Sequence, residues 1–375
     1  MRKVWLPILA LSLQAAAGQA PKEAPSVHAD ELLRSGIAAQ QRGDQKTAIE
    51  DYRKALAIQP GLAEARANLG AALAADGQFD AAIEQDTMAL ASAPDKTSVR
   101  LNLALAYYKK GDVPHAHDEF AAVHAARPGD LAAAVLLGYT DIKLEKVADA
   151  VELLTPLEAG HESNMDLEYV LAFAQIQAGK EVLGMPRMEK VARTNQSPDA
   201  YIIAGSARMR TGGYREARDD LDAALKIAPS FPGLYTLVGK ARDSVGDADA
   251  AVPAFEAALK ADPNDFDANL YLGAIRLKQR DIEAAKPRLE LALKIHPESQ
   301  LARYEKAKLD SMSGNNEAAV ATLEALTKSD PNWLDPHVEL AALYYKLHRP
   351  EDGKREREIV QQIEAKQQQK GPPQP

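Results

Sequence analysis

Small and large apolar residues return at fixed places along this chain. Pro60, Pro94 and Pro128 are 34 residues apart, and Pro229, Pro263, Pro297 and Pro331 keep the same spacing. Counting back from the prolines gives ten units, starting at residues 29, 63, 97, 131, 165, 198, 232, 266, 300 and 334. A period in this range governs the whole reading, because each unit is then one supersecondary element. Position 8 of the unit is always small, from Gly36 and Gly70 to Ala307 and Ala341. Position 20 is Ala or Gly throughout, and position 27 is small or medium. Position 24 is mostly large: Tyr52, Phe120, Leu154, Met188, Leu221, Phe255, Leu289 and Leu323, with Asp86 and Arg357 as exceptions.

This pattern predicts two antiparallel helices per unit. Gly43, Gly77, Gly111, Gly179, Gly212, Gly246 and Gly314 fall at the turn between them, where a helix end accepts a left-handed residue. Small residues at positions 8, 20 and 27 let the helix backbones approach, and the large residue at 24 fills the gap left between them. The proline at position 32 stops the second helix. Pro186, Pro253 and Pro287 sit at position 22, expected near the first turn of that helix, where a missing N–H costs little. No unit buries its faces alone, so stability comes from stacking.

The unit resembles the tetratricopeptide repeat, whose signature is W-x2-L-G-x2-Y, then A-x3-F, then P. Tyr235, Val238, Gly239, the run from Ala251 to Phe255, and Pro263 carry the match most clearly. The resemblance spans residues 29–367 and implies an all-α fold, a right-handed superhelical solenoid of about ten helix-turn-helix repeats. It identifies the chain as a member of that family, and the N-terminal segment makes an exported, bacterial-type member the expectation.

Two places depart from the pattern. Units four and five lack the terminal proline, Pro156 interrupts the second helix of unit four, and Glu158 to Asn164 is polar, so that helix is expected to end early. Gly184 replaces Ala in unit five. The stretch 156–198 is the least regular joint, read either as drift within an intact array or as a hinge. In unit ten the second helix is strongly charged, as a capping helix requires, and residues 368–375 are expected to be disordered.

The N-terminus adds an address. Met1-Arg2-Lys3, an apolar run from Val4 to Leu13 and the small residues Ala15 to Gly18 read as a signal peptide over residues 1–17. A Pro/Ala-rich linker follows over 18–28. The expected location is periplasmic or secreted, with no membrane span after cleavage. Alanine is the commonest residue and aromatics are only 5%, which agrees with closely packed helices. Cysteine is absent, which removes disulfides, thiolate metal sites and a Cys nucleophile. The net charge of −9 is a poor start for binding nucleic acid.

In the resembled family the first helices line a concave groove where partners bind. Carried onto this chain, the groove positions of units three to six give Leu101, Leu105, Tyr108, Val135, Tyr139, Ile142, Tyr169, Phe173, Ile176, Ile202 and Met209. Such an apolar lining marks an interaction site, although a stripe at helical spacing also serves packing. Units seven to ten present a more mixed set, including Lys240, Asp243, Lys278, Tyr304 and Lys308. The family's carboxylate clamp does not carry over, because no Lys stands at position 5 and no Asn at position 9. Arg208, Arg242 and Arg276 share position 11 and form either a ladder of ion pairs or a row for an anion.

No catalytic constellation is legible. His115, His117 and His124 do not have the spacing for two ligands on one helix face, and no HExxH or phosphate-cradling glycine motif occurs. The sequence therefore points to a non-catalytic scaffold without cofactor or metal, binding a partner peptide or helix in the groove. An alternative is an assembly subunit of a cell-envelope machine for secretion, pilus or outer-membrane biogenesis, using the convex face and ends.

Overall fold

The computed structural model describes residues 26–369, and the signal-peptide reading and the last residues of the tail lie outside them. The chain divides after Ala200 into two compact units. The N-terminal unit holds α1 (Ser26–Gln41), α2 (Gln45–Ile58), α3 (Ala63–Ala75), α4 (Phe79–Leu90), α5 (Lys96–Lys110), α6 (Val113–Ala126), α7 (Leu131–Lys143), α8 (Val147–Leu154), α9 (Met165–Gln177) and α10 (Glu181–Asn195). The helix α11 (Pro198–Thr211) begins at its end. The C-terminal unit continues with α12 (Tyr214–Ile227), α13 (Leu234–Ser244), α14 (Ala248–Ala261), α15 (Phe266–Lys278), α16 (Ile282–Ile295), α17 (Gln300–Met312), α18 (Asn316–Ser329), α19 (Leu334–Lys346) and α20 (Pro350–Gln369). No strand occurs among the described residues, so the fold is all-α. In each unit successive helices pair as hairpins, and neighbouring hairpins stack.

The period fixes these elements closely. Eight of the ten first helices start within one residue of the expected unit boundary; α1 starts three residues early, inside the linker segment, and α13 two late. Four second helices open on side-chain caps: Asp44, Asp112, Asp247 and Asp281 each accept a hydrogen bond from a backbone N–H of the first turn. All seven expected turn glycines have positive φ. The three units without that glycine keep the same left-handed turn on Glu145, Arg280 and His348, at φ 63°, 63° and 58°.

The small-against-large register is real. A Cβ on Gly36 would come 2.5 Å from the Tyr52 ring, one on Gly239 2.6 Å from Phe255, and one on Gly273 2.7 Å from Leu289. Tyr52, Phe120, Phe255, Leu154, Leu221 and Met188 are fully buried, each contributing about 1.5–3 kcal/mol of burial. The glycine at 184 belongs to the same logic. A Cβ there would lie 2.7 Å from the Ala172 carbonyl oxygen, so its absence brings α10 close onto α9.

Two expectations change in detail, and one is met. Pro186, Pro253 and Pro287 are each the sixth residue of their helix, a turn further in than expected, so each forgoes one backbone bond. All three are exposed, where water can take the freed carbonyl. The helix α8 does end early, after eight residues, and a 3-10 turn at Thr155–Leu157 carries Pro156. The polar segment after it is pinned: Glu158 pairs with Arg187, Lys190 Nζ donates to the Glu162 carbonyl at 2.5 Å, and buried Glu168 takes both Arg187 (3.1 Å) and Lys190 (2.7 Å). Finally, α20 runs to Gln369, into the segment expected as tail, and buries only Gly353 and Ile363 among its described side chains.

Candidate functional site

In the N-terminal unit the first helices α7 and α9 lie side by side, and α5 meets α7 through Tyr108 and Tyr139. Their groove positions form a row of aromatics. The Tyr108 and Tyr139 rings meet edge to face at 5.9 Å, and Tyr169 and Phe173 lie 6.4 Å apart. The Lys143 ammonium stands over the Tyr139 ring at 5.2 Å, a cation held on the π face.

The eleven groove residues separate into two kinds. Leu101, Leu105, Tyr108 and Phe173 are half-buried and open to a partner. Val135, Tyr139, Ile142, Tyr169 and Ile176 are buried, with Tyr139 only 1% exposed. Because neighbouring first helices close over them, they form the bed of the face rather than its open lining. Ile202 and Met209 belong to the C-terminal unit, where they pack half-buried against a core of Leu221, Ala224, Leu234 and Val238.

Two residues of the face are carboxylates that the apolar pattern did not single out. Asp166 in α9 and Asp199 in α11 occupy position 2 of their repeats, half-buried, in the first turn of their helices. Both make no ion pair or hydrogen bond among the described residues. Burial alone pushes both carboxyls above their usual range, despite the favourable helix dipole. Burial also raises Tyr139 and Tyr169, and the negative charge of Asp199 adds to both. The Tyr169 hydroxyl has no hydrogen-bond partner among the described residues, although the residue is only 6% exposed.

The C-terminal unit solves the same positions differently. Lys240, at position 9, reaches Asp267, at position 2 of the next repeat, at 3.0 Å and lies 5.2 Å over the Tyr271 ring. Lys308 likewise pairs with Glu305 at 3.0 Å and covers Tyr304 at 5.3 Å. Asp243 is raised by burial and lowered by Lys278. The position-11 arginines are ion-paired: Arg208 with Asp220 of its own repeat, Arg242 with Asp222 at 2.9 Å and Arg276 with Glu256 at 3.1 Å of the preceding one. The ladder is thus partly inter-repeat, as the ion-pair reading expects.

The histidines are held singly. His115 stacks on Tyr107 at 5.0 Å and bonds Asp112, while His117 meets Asp141 at 2.9 Å. Among the described residues no three His, Cys, Asp or Glu side chains are grouped to hold a metal ion. No helix of the described residues is long and apolar enough to cross a membrane.

Residues 40–77, 238–299 and 276–344 match tetratricopeptide repeat families. These segments are tetratricopeptide repeats. Among solved structures, the repeat array is similar to yeast Tom70, with 15% identity, 91% of this chain and 96% of that one covered, and a TM-score of 0.37. It is similar to the APC/C hetero-tetramer Cut9-Hcn1, at 13% identity, 90% and 88% coverage and a TM-score of 0.47. MamA from Desulfovibrio magneticus RS-1 aligns with 45% of this chain and 96% of its own, at 23% identity and a TM-score of 0.39. No curated protein matches the chain.

Proposed function

We propose that this chain is a non-catalytic tetratricopeptide repeat scaffold that binds a segment of a partner protein on the first-helix face of its N-terminal unit. One observation carries the reading: Leu101, Leu105, Tyr108 and Phe173 stay half-exposed above a bed of buried aromatics, where the equivalent lysines of the C-terminal unit are already ion-paired. A rigid bed under open apolar side chains suits a helix or an extended peptide. The basic, apolar and small order of residues 1–18 supports export, so the partner is sought outside the cytoplasm.

A second reading, an envelope-assembly subunit working through its outer face, draws on α10. There Val182 and Leu183, in a second helix, are 86% and 54% exposed. One experiment separates the two. The full chain captures its partner from native extract, and the partner is identified by mass spectrometry. Capture should be lost in Leu105→Ser/Phe173→Ser at unchanged helix content. Capture unchanged there but lost in Val182→Asp/Leu183→Asp overturns the groove in favour of the outer face. Capture unchanged in both overturns the two readings.

A further inference from the structure

The repeats can be compared with one another, and the comparison assigns a chemistry to the partner. In the C-terminal unit the position-2 carboxylate Asp267 is answered by Lys240, at position 9 of the repeat before it, and Tyr271 floors that lysine. In the N-terminal unit the residues at that same position 9 are Tyr139, ahead of Asp166, and Phe173, ahead of Asp199. The carboxylates are kept and the cation is not. Resting on the scaffold reading above, we propose that Asp166, Asp199 and Tyr169 form a receptor for a lysine or arginine side chain of the partner protein.

Three independent observations support it. Asp166 and Asp199 are half-buried without a cation, a costly state that a charged ligand group would relieve. Tyr169 is more than nine-tenths buried, its hydroxyl has no bond among the described residues, it stands one turn after Asp166 on α9, and the charge of Asp199 reaches it. The aromatic bed already accepts a cation, since Lys143 lies over Tyr139. A phenolic ring and a carboxylate together match an alkyl-ammonium or guanidinium, with the apolar stem on the ring and the charge on the oxygen. The half-exposed Leu105 and Phe173 of the same face call for apolar residues flanking the cation.

The test uses the full chain and a fluorescent peptide series, with Leu and Phe flanking one central position that is Lys, Arg, norleucine or Glu. The Lys and Arg peptides should bind about tenfold more tightly than the norleucine peptide, with Glu weakest. Asp166→Asn/Asp199→Asn should reduce that preference to about twofold or less at unchanged helix content, while leaving norleucine binding in place. Tyr169→Phe, which keeps the ring and removes only the hydroxyl, should lower Lys and Arg binding alone. Equal binding of the Lys and norleucine peptides overturns the cation receptor while the apolar scaffold reading stands. A Lys preference that survives the double Asn variant overturns the assignment to these residues. Binding of no peptide also overturns the receptor, and the scaffold then stands or falls on its own capture experiment.

Discussion

The carboxylate of Asp86 lies directly against the backbone of Gly70, in the cleft between α3 and α4. Eight other repeats put a large apolar side chain at this place. Asp86 is fully buried and neither oxygen has a hydrogen-bond partner among the described residues. Desolvation alone pushes its carboxyl up from 3.8 to about 8. The unfolded chain therefore releases this proton from about pH 4, while the folded chain holds it to about pH 8, so this group makes stability fall as pH rises across that window. Asp86→Leu should raise stability by about 1–3 kcal/mol at pH 5, and by more at pH 8. Asp86→Asn should flatten the pH dependence without the full gain. Chemical denaturation of the three proteins from pH 4 to pH 9 measures both effects, and a wild-type slope shared by all three would contradict the assignment.

Gly184 is a packing residue rather than a lapse in the repeat. A Cβ there would stand 2.7 Å from the Ala172 carbonyl oxygen and 2.8 Å from Ile176 Cγ1, so α10 must move outward to admit it. Gly184→Ala is expected to cost about 1–3 kcal/mol, although alanine is the better helix former and occupies position 20 in most other repeats. Thermal unfolding checks this. An alanine variant as stable as the parent would show that the hairpin absorbs a methyl group freely.

The left-handed turns on Glu145 and Arg280 carry a side chain where most repeats carry none. Both residues are exposed, so replacement alters little else. Glu145→Gly and Arg280→Gly should each stabilise the chain by about 0.5–1 kcal/mol, by relieving the clash of a Cβ in that conformation. The converse change, Gly246→Ala at φ 82°, should destabilise by a similar amount. Denaturation midpoints at constant slope report all three, and a loss of stability in the glycine variants would sink the argument.

The helical hairpins, their turns and the small-against-large contact were legible because each is set by local spacing and repeats ten times. A period averages over exceptions, and the exceptions are where the sequence reading fell short. Glu145, Arg280 and His348 adopt the turn that glycine usually supplies, because stacking fixes the loop whatever its residue. Pro186, Pro253 and Pro287 lie deeper in their helices than expected: α14 and α16 start at their Asp247 and Asp281 caps, and α10 starts directly after Lys180, all ahead of the proline. Glu168 and its two cations are separated by nineteen residues or more along the chain, so no local pattern signals that pairing. The candidate site was only partly visible. Periodicity identified the first-helix face, but not that Tyr139 is sealed beneath it and Tyr169 nearly so, while Tyr108 and Phe173 remain open. Asp166 and Asp199 escaped notice because an acidic residue in a first helical turn is ordinary; their lack of a cation appears only in three dimensions.

Asp86 bears on more than its own hairpin. An array whose elements touch only their neighbours behaves like a zipper, and a zipper opens from its weakest tooth toward the nearer end. A carboxyl that must stay protonated in α4 sets that tooth two hairpins from the N-terminus. Raising the pH should therefore let α1 to α4 breathe as one cooperative block, with amide exchange quickening there while α5 to α9 stay protected.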